Sequence, residues 1–193
     1  MNKAIIINTD ENKELIKKTL ETVPESIESI IIDKPGGRRS VLLNLGINQI
    51  KDKSTNIYIL ESGNQYKREF FDIDYIIKKD LYSEFGAFYT DFFDIKTKNR
   101  NFLESFNLKK IIDGIYPSLT GIYKTSTFLK YGLFDEKLEL LEDWDMWLRI
   151  SRGIAIYHKP ECLYYNLSKK KKISLEALEE ERRLITNKVK RNG

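Results

Sequence analysis

The chain has 193 residues, of which 41% are hydrophobic and 32% are charged. This length and balance predict one folded domain with a buried core and exclude a disordered chain. The sequence has no apolar run near ~18 residues and no charged-then-apolar leader, so we expect no membrane span, no secretory signal and a cytoplasmic location.

Charge argues against nucleic-acid binding, and cysteine content argues against a disulfide or a cysteine metal cluster. The net charge of +4 comes partly from a lysine run at 169–172 and from the basic tail. A modest charge that is weighted to the tail is poor evidence for nucleic-acid binding. The single cysteine, Cys162, excludes an internal disulfide and gives no metal cluster.

The first half of the chain predicts alternating strands and helices. Apolar strands are expected at 4–7, 27–32 and 56–60, and a helix is expected after each of the first two strands. Asp10 is expected to cap the first helix, and Gly36 to break the chain before the second. This order predicts an α/β fold with a central sheet.

Each of the three strands ends in polar residues. The first is followed by Asn8, Thr9 and Asp10, the second by Asp33, and the third by Glu61. In open α/β sheets, ligands bind outside the carboxyl ends of the strands. Each end taken singly is also explained as a turn or cap, but together they predict a nucleotide site.

An acid-rich helix start gives the clearest chemical signal. Its acids are Glu142, Asp143 and Asp145. Four apolar residues recur at roughly helical spacing and are expected to face the core, namely Leu141, Trp144, Trp147 and Leu148, while Arg149 lies within pairing distance of Asp145. The acids are explained either as helix caps that offset the dipole, or as a cleft that holds a general base.

The order of these features resembles the second half of inverting family 2 glycosyltransferases, which have the GT-A fold. The matching order is a small-residue turn, Tyr123-Lys124-Thr125-Ser126, a short apolar helix, Tyr131-Gly132-Leu133-Phe134-Asp135-Glu136, and then Glu142-Asp143-Trp144-Asp145. The resemblance implies a single GT-A-like domain over 1–193, with a mixed central sheet flanked by helices and a C-terminal helix. It divides the chain into a nucleotide-sugar-binding half (1–95), an acceptor and catalytic half (96–170) and a basic, amphipathic C-terminal helix (171–193).

The resemblance also implies roles for the second half of the chain. In the family the Glu-Asp pair supplies the base that deprotonates the acceptor hydroxyl. Asp143 matches that base, Glu142 precedes it, and Asp145 is the other candidate. The turn before the short helix touches the acceptor in the family, which implies acceptor contacts for Gly121, Tyr123 and Trp144.

The implied donor site lies in the first half. Thr9 and Asp10 match the loop after the first strand, and Asp33 matches the acid that binds the nucleotide base. Asn44, in Asn44-Leu45-Gly46-Ile47, matches the family's Asn-x-Gly segment. Arg38 and Arg39 precede it, where they either meet the diphosphate or remain solvated.

The family's metal motif, two aspartates one residue apart, falls on Glu61-Ser62-Gly63. Glu61 can take the first carboxylate's place, but Gly63 has no side chain for the Mn²⁺ or Mg²⁺ that the resemblance implies as cofactor. Asp72 and Asp74 have the right spacing about ten residues later, and we rank them below Glu61 as ligands. A weakened metal site leaves the lysine run at 169–172 as a second candidate for neutralising the diphosphate, although a solvated run is the default interpretation.

Two features remain outside these assignments. His158 does not match the family's C-terminal metal-binding histidine, so we expect a structural role. The last helix, from Ser174 to about Val189, carries a stripe made of Leu175, Leu178, Ile185 and Val189. That stripe is compatible with packing on the domain, with pairing to another chain, or with peripheral contact to an anionic membrane surface.

We therefore expect an enzyme that transfers a sugar from a nucleotide-diphosphate sugar to a hydroxyl with inversion. A glycan, a lipid carrier, a protein and a modified DNA base all remain possible acceptors. The alternative is a catalytically weakened member of the same fold that binds a nucleotide sugar or a partner, because Gly63 lacks a carboxylate. A nucleotidyltransferase is a third interpretation, but it would normally have a glycine-rich basic loop where Asn8-Thr9-Asp10-Glu11 is acidic.

Overall fold

The computed structural model describes residues 2–52, 55–76, 85–103, 105–114, 117–167 and 174–191. In this part of the chain, one mixed sheet of eight strands lies between two layers of helices. The strands are β1 (Lys3–Asn8), β2 (Glu28–Asp33), β3 (Asn56–Glu61), β4 (Gln65–Tyr66), β5 (Phe85–Asp94), β6 (Asn99–Asn101), β7 (Gly121–Lys124) and β8 (Ala155–Asn166). The helices are α1 (Glu14–Leu20), α2 (Arg39–Asn48), α3 (Ile73–Ile76), α4 (Leu108–Ile112), α5 (Thr125–Tyr131), α6 (Glu142–Ile150) and α7 (Leu175–Arg191), and a 3₁₀ helix spans Arg68–Phe71.

The sheet has the strand order β2-β1-β3-β7-β5-β8-β4, and β6 pairs with β5 at one side. Strands β2, β1 and β3 run parallel, whereas β7 is antiparallel to both β3 and β5. Because the first three strands are parallel, their carboxyl ends at Asn8, Asp33 and Glu61 lie at the same edge of the sheet. The predicted α/β fold, with a mixed central sheet flanked by helices and a C-terminal helix, is confirmed.

Alternating side chains of the strands give the sheet two buried faces. Ile5 and Ile7 of β1 pack in a cluster that includes residues of α2, α5, α6 and α7. Ala4 and Ile6 face the other way, into a cluster with aromatic residues from the 3₁₀ helix and from β8. Because a strand's side chains alternate between faces, one apolar strand contributes to both layers.

The first three predicted strands and the second helix are confirmed, with ends shifted by one or two residues. The start of α1 differs from the prediction, because the helix begins at Glu14. The Asp10 side chain accepts the N–H of Asn12 (2.9 Å), and the Asn12 side chain accepts the N–H of Glu14 (3.1 Å). Two successive side-chain turns therefore precede the helix, and Asn12 takes the capping role that was predicted for Asp10.

The C-terminal helix α7 packs on the domain through part of its predicted stripe. Ile185 is buried in the cluster around α6, and Leu178 packs against the same cluster. Leu175 is exposed, and the side chain of Val189 lies outside the described residues, as does the lysine run at 169–172. In the described part of the chain, no helix combines the length and the apolar character that crossing a bilayer requires.

Candidate active site

The three parallel strand ends are joined by the side chain of Asn8. Its amide nitrogen donates to Asp33 Oδ1 (2.9 Å) and to the carbonyl oxygen of Asp10 (2.8 Å), and its Oδ1 accepts from Ser62 Oγ (2.6 Å). Asn8 is fully buried, whereas a quarter of the Asp33 side chain is exposed. The strand-end residues that the sequence grouped as a nucleotide site therefore lie together, and Asp33 presents a carboxylate oxygen near solvent.

Arg39 connects this edge of the sheet to the acid-rich helix. It is the first residue of α2, and its Nη1 donates to Glu142 Oε1 (3.1 Å) and lies 3.8 Å from Asp143 Oδ2. Its Nη2 forms an ion pair with Glu61 at the end of β3. One guanidinium thus meets three carboxylates from two parts of the chain that are about eighty residues or more apart, and 24% of its side chain remains exposed.

Burial and charge set the protonation of this cluster. Desolvation raises the pKa of Asp143 to about 7, since the lowering effect of Arg39 only partly offsets burial and the negative charge of Glu142 adds to it. Desolvation likewise raises the pKa of Glu142, with Arg39 acting in the opposite direction. For Arg39, burial lowers the pKa, but the three carboxylates outweigh burial and leave it above its ordinary value. Asp143 is therefore a carboxyl group that exchanges a proton near neutral pH.

Asp145, the other candidate base, is held by two basic side chains. Its Oδ2 accepts from Arg149 Nε (2.9 Å), as the spacing predicted, and its Oδ1 lies 3.4 Å from Lys188 Nζ. The Arg149 guanidinium also donates to the backbone carbonyls of Tyr131, Gly132 and Leu133. Asp145 thus anchors the loop between α5 and α6, while Asp143 faces Arg39.

The apolar residues of α6 are buried as predicted. Leu141, Trp144, Trp147 and Leu148 are each at most 5% exposed. Trp144 Nε1 donates to the carbonyl oxygen of Ile111 (2.5 Å), and Trp147 Nε1 donates to that of Pro117 (3.0 Å). This packing holds the helix, and with it Asp143, against the sheet.

The residues predicted to contact an acceptor lie beneath the surface instead. Tyr123 is fully buried and its hydroxyl donates to the carbonyl oxygen of Leu119 (3.0 Å). A Cβ at Gly121 would come within 2.3 Å of the Phe88 carbonyl oxygen, because β7 and β5 approach closely at this position. Trp144 packs in the core. All three residues are thus buried and packed in the described structure, and their contact with an acceptor stays a prediction.

Some of the remaining residues predicted for the donor site are partly exposed. Others are buried, with their side chains hydrogen-bonded to other parts of the protein. Thr9 and Asp10 lie partly exposed beside Asp33. The Asn44 side chain instead donates to the carbonyl oxygen of Phe134 and to Glu136 Oε1 (2.9 Å each) and accepts the N–H of Phe134 (2.9 Å). Asn44 is buried, so it fixes the Phe-Asp-Glu turn from within rather than facing a nucleotide.

Arg38 points away from Arg39. Its Nη1 donates to the carbonyl oxygen of Glu136 (2.9 Å), and half of its side chain is exposed. Of the two arginines predicted to meet a diphosphate, Arg39 is the one that lies at the carboxylate cluster.

The described residues do not form a preformed metal site. Glu61 is paired with Arg39, and Gly63 has a left-handed φ of +91° with its N–H donated to Leu15 O (3.0 Å) and Thr19 Oγ1 (2.9 Å). A Cβ at Gly63 would meet Leu15 at 3.2 Å, so a side chain there would point at α1. No group of three histidine, cysteine or carboxylate ligands comes together within the described ranges.

Asp72 lies elsewhere on the domain. It is exposed, accepts the N–H of Tyr75 (3.0 Å), and lines a surface hollow with Pro24 and Ser26, which come before β2 rather than after it. Asp72 is thus on the side of the sheet where the parallel strands begin. Asp74 lies in α3, and its side chain is outside the described residues.

His158 has the structural setting expected from the sequence. Its Nε2 lies 2.9 Å from Asp91 Oδ1, and its ring stacks on Tyr89 with centroids 4.6 Å apart. Opposite Thr90 and Asp91 the register of β8 shifts over Pro160 and Glu161, so Pro160, which has no N–H to donate, lies in an irregular part of the strand.

The fold is similar to that of a solved glycosyltransferase. The first of the similar solved structures is S. aureus TarS, a glycosyltransferase, at 16% identity over 96% of this chain and 39% of that chain, with a TM-score of 0.72. TarS 1–349 in complex with UDP matches at 16% identity over 96% of this chain and 64% of that chain, and the complex with UDP-GlcNAc at 15% over 96% and 65%, each with a TM-score of 0.70. No protein-family model and no curated protein matches the chain. The chain spans between about two fifths and two thirds of the TarS chains that it matches.

One residue that the sequence analysis did not single out is Glu181 in α7. Its carboxylate accepts three backbone N–H groups just before α6. A signal for it exists, because Glu181 lies three residues after Leu178 and four before Ile185, on the apolar stripe of the helix. A lone acid on a buried stripe requires partners, and these are supplied by the backbone.

Proposed function

We propose that this protein transfers a sugar from a nucleotide-diphosphate sugar to an acceptor hydroxyl, with inversion at the anomeric carbon and Asp143 as the general base. The observation that carries the proposal is that Arg39 contacts both Glu61, at the end of β3, and Asp143. Asp143 therefore lies beside the strand ends where a nucleotide is expected. An inverting transfer needs one base beside the attacking acceptor hydroxyl, and Asp143, whose pKa burial raises to about 7, is the carboxylate that we propose for this role.

The donor half of the proposal rests on the edge formed by Asn8, Asp33 and Glu61. Asp33 presents a partly exposed carboxylate that can accept hydrogen bonds from a nucleobase or ribose. The TarS structures in complex with UDP and UDP-GlcNAc support uridine nucleotides as the first probes. The identity of the acceptor does not follow from these residues beyond its reacting hydroxyl.

In the proposed reaction, Asp143 accepts the proton of the acceptor hydroxyl through Oδ2. The acceptor oxygen forms a bond to the anomeric carbon from the face opposite the diphosphate, and the bond from that carbon to the diphosphate oxygen breaks. The electron pair leaves with the nucleoside diphosphate, and the configuration inverts. Trp144 donates its backbone N–H to Asp143 Oδ1 (2.9 Å), which leaves Oδ2 oriented toward Arg39 and the site.

Arg39 is the cation placed to contact the leaving diphosphate. A guanidinium is always protonated and binds phosphate oxygens with two parallel hydrogen bonds. In the described structure its Nε is buried without a partner, so the side chain has a donor to offer when a ligand rearranges its ion pairs. The longest of the three contacts between Arg39 and a carboxylate is that with Asp143 (3.8 Å). Replacement of this carboxylate by a phosphate oxygen would release Asp143 from Arg39.

The test combines binding and turnover. UDP and a panel of UDP-sugars are titrated calorimetrically, and UDP release from each sugar is followed with a mixture of free sugars as hydroxyl acceptors. We expect UDP to bind, and at least one UDP-sugar to release UDP faster when an acceptor is present. Binding without release would favour the alternative of a nucleotide-sugar-binding protein, and absence of both would overturn the proposal.

A further inference from the structure

One carboxylate of the C-terminal helix α7 binds the segment that leads into the acidic helix α6. Glu181 is 9% exposed, and both of its oxygens accept backbone N–H groups. Oε1 accepts from Glu139 (2.7 Å), and Oε2 accepts from Leu140 (3.1 Å) and Leu141 (2.9 Å). Three charge-assisted hydrogen bonds from one side chain are a strong local restraint.

These N–H groups belong to the residues that lead into α6. Leu141 is the N-cap residue of α6 and, being apolar, supplies no side-chain cap. The Glu181 carboxylate binds the amides before the helix, and its negative charge lies near the positive end of the helix dipole. A residue of α7 thus holds the segment that leads into α6, and its last hydrogen bond is to the N-cap residue Leu141, two residues before Asp143.

Two further contacts of α7 fall on the neighbours of Asp143. Lys188 forms ion pairs with Asp135 and, at 3.4 Å, with Asp145. The Arg182 guanidinium lies 6.0 Å from the centroid of the Trp144 ring. Helix α7 therefore contacts residues that precede Asp143 in the sequence and residues that follow it, whereas Asp143 itself contacts Arg39.

We infer that Glu181 is a positioning residue, which holds the amides of residues 139–141 so that Asp143 faces Arg39 and the donor edge. This inference rests on the proposed function for its catalytic consequence. Its structural part, the restraint on α6 by α7, stands on the hydrogen bonds alone. The two parts are therefore tested by separate measurements.

The test compares Glu181→Gln with Glu180→Gln. Both variants remove one negative charge from α7, but Glu180 is exposed. In Glu181→Gln the new amide group places N–H donors against backbone N–H donors. Glu181→Asp, which keeps the charge but shortens the side chain, serves as a second variant if Glu181→Gln does not fold.

Two readouts do not depend on turnover. Hydrogen exchange of amides 139–141 reports the restraint directly. The only two tryptophans of the chain, Trp144 and Trp147, both lie in α6, so their fluorescence as a function of pH reports the ionisation of the carboxyl groups at the start of that helix, Asp143 and Glu142. Loss of the Glu181 restraint changes how Asp143 lies relative to Arg39, so the midpoint of the titration should differ from that of the unmodified protein.

We expect Glu181→Gln to exchange these amides about tenfold faster or more, to titrate with a shifted midpoint, and to lose about tenfold in kcat while its Kd for UDP stays within about twofold. Glu180→Gln should match the unmodified protein in every readout. Unchanged exchange in Glu181→Gln would overturn the inference, and so would faster exchange with an unchanged fluorescence midpoint. If the unmodified protein releases no UDP from any UDP-sugar, the proposed function fails, and the exchange and fluorescence results still decide the role of Glu181.

Discussion

At the scale of single residues, Arg39 and Asp143 form the centre of the proposed site. The two side chains come from opposite halves of the chain and meet at 3.8 Å, with Glu61 and Glu142 around them. Three carboxylates around one guanidinium leave an excess of negative charge. Burial adjusts that excess by raising the pKa of Asp143 and Glu142, which favours their protonated forms.

The pH dependence of transfer follows from Asp143. A general base acts only when ionised, so with its pKa raised to about 7 by burial, kcat should fall as the pH drops through that value. Arg39 lowers this pKa, so Arg39→Met should move the acidic limb of the profile to higher pH, whereas Arg39→Lys, which keeps the charge, should move it less. The profile of UDP release against pH measures this. An acidic limb that stays in place in Arg39→Met would contradict the pairing.

Asp33 provides a residue-scale test of the donor edge. Asp33→Ala should weaken UDP binding by about tenfold, the loss of a hydrogen bond to a charged group, while thermal stability changes little because the side chain is partly exposed. Asp72→Ala is the matched control, since Asp72 is an exposed aspartate where the parallel strands begin. Calorimetry with UDP compares the three proteins. Equal affinity in Asp33→Ala would place the nucleotide elsewhere.

At the scale of elements, local sequence patterns predicted the strands and the buried helix face that depend on the spacing of apolar residues. They did not predict contacts between residues that are far apart in the chain. The strands at β1, β2 and β3 and the buried face of α6 follow from apolar spacing, and all are confirmed. Asn44 was matched to a nucleotide contact, but it binds a turn about ninety residues away. A short sequence pattern cannot reveal such a partner, because contacts between distant segments are fixed by the packing of the sheet.

Gly121 illustrates the same limit and offers a stability test. The glycine was assigned to an acceptor contact, whereas the structure places it where a Cβ would lie 2.3 Å from the Phe88 carbonyl oxygen. Gly121→Ala should therefore push β7 away from β5 and cost about 1–3 kcal/mol of unfolding free energy. Gly36→Ala, with φ of +70° but nothing within 4 Å of the added Cβ, should cost less, about 1 kcal/mol from backbone strain. Urea denaturation ranks the two, and a larger loss at Gly36 would contradict the packing argument.

The turn after β3 bears on metal binding. Because Arg39 holds Glu61 and Gly63 faces α1, we expect Mn²⁺ alone to give no binding signal, and Mn²⁺ to bind only when UDP supplies diphosphate oxygens. Calorimetric titration of Mn²⁺ into the protein, into UDP and into both together separates these cases. Glu61→Gln should weaken the combined signal, while Asp72→Asn should leave it unchanged. Tight binding of Mn²⁺ without UDP, or a large loss at Asp72, would show that the metal ligands lie on another segment.

At the scale of the whole molecule, one sheet unites the two halves that the sequence divided at residue 95. Strand β5 ends at Asp94 and pairs with β7 and β8 from the second half, so the donor edge and the acidic helix are parts of one layered body. The fold class could be predicted because alternating apolar strands and helices leave few architectures. The site could be predicted only in part, because Glu181 reaches α6 from the far end of the chain.

The central claim is that Asp143 is the base of a sugar transfer, and the direct measurement is UDP release from UDP-sugars by Asp143→Asn and Asp145→Asn. The first substitution keeps the shape of the side chain but replaces the carboxylate with an amide that cannot accept the proton. We therefore expect Asp143→Asn to lose ~10²-fold to ~10⁴-fold in rate with UDP affinity retained. Asp145→Asn weakens the pairing with Arg149 and should lower stability more than rate. An active Asp143→Asn beside an inactive but folded Asp145→Asn would contradict the assignment.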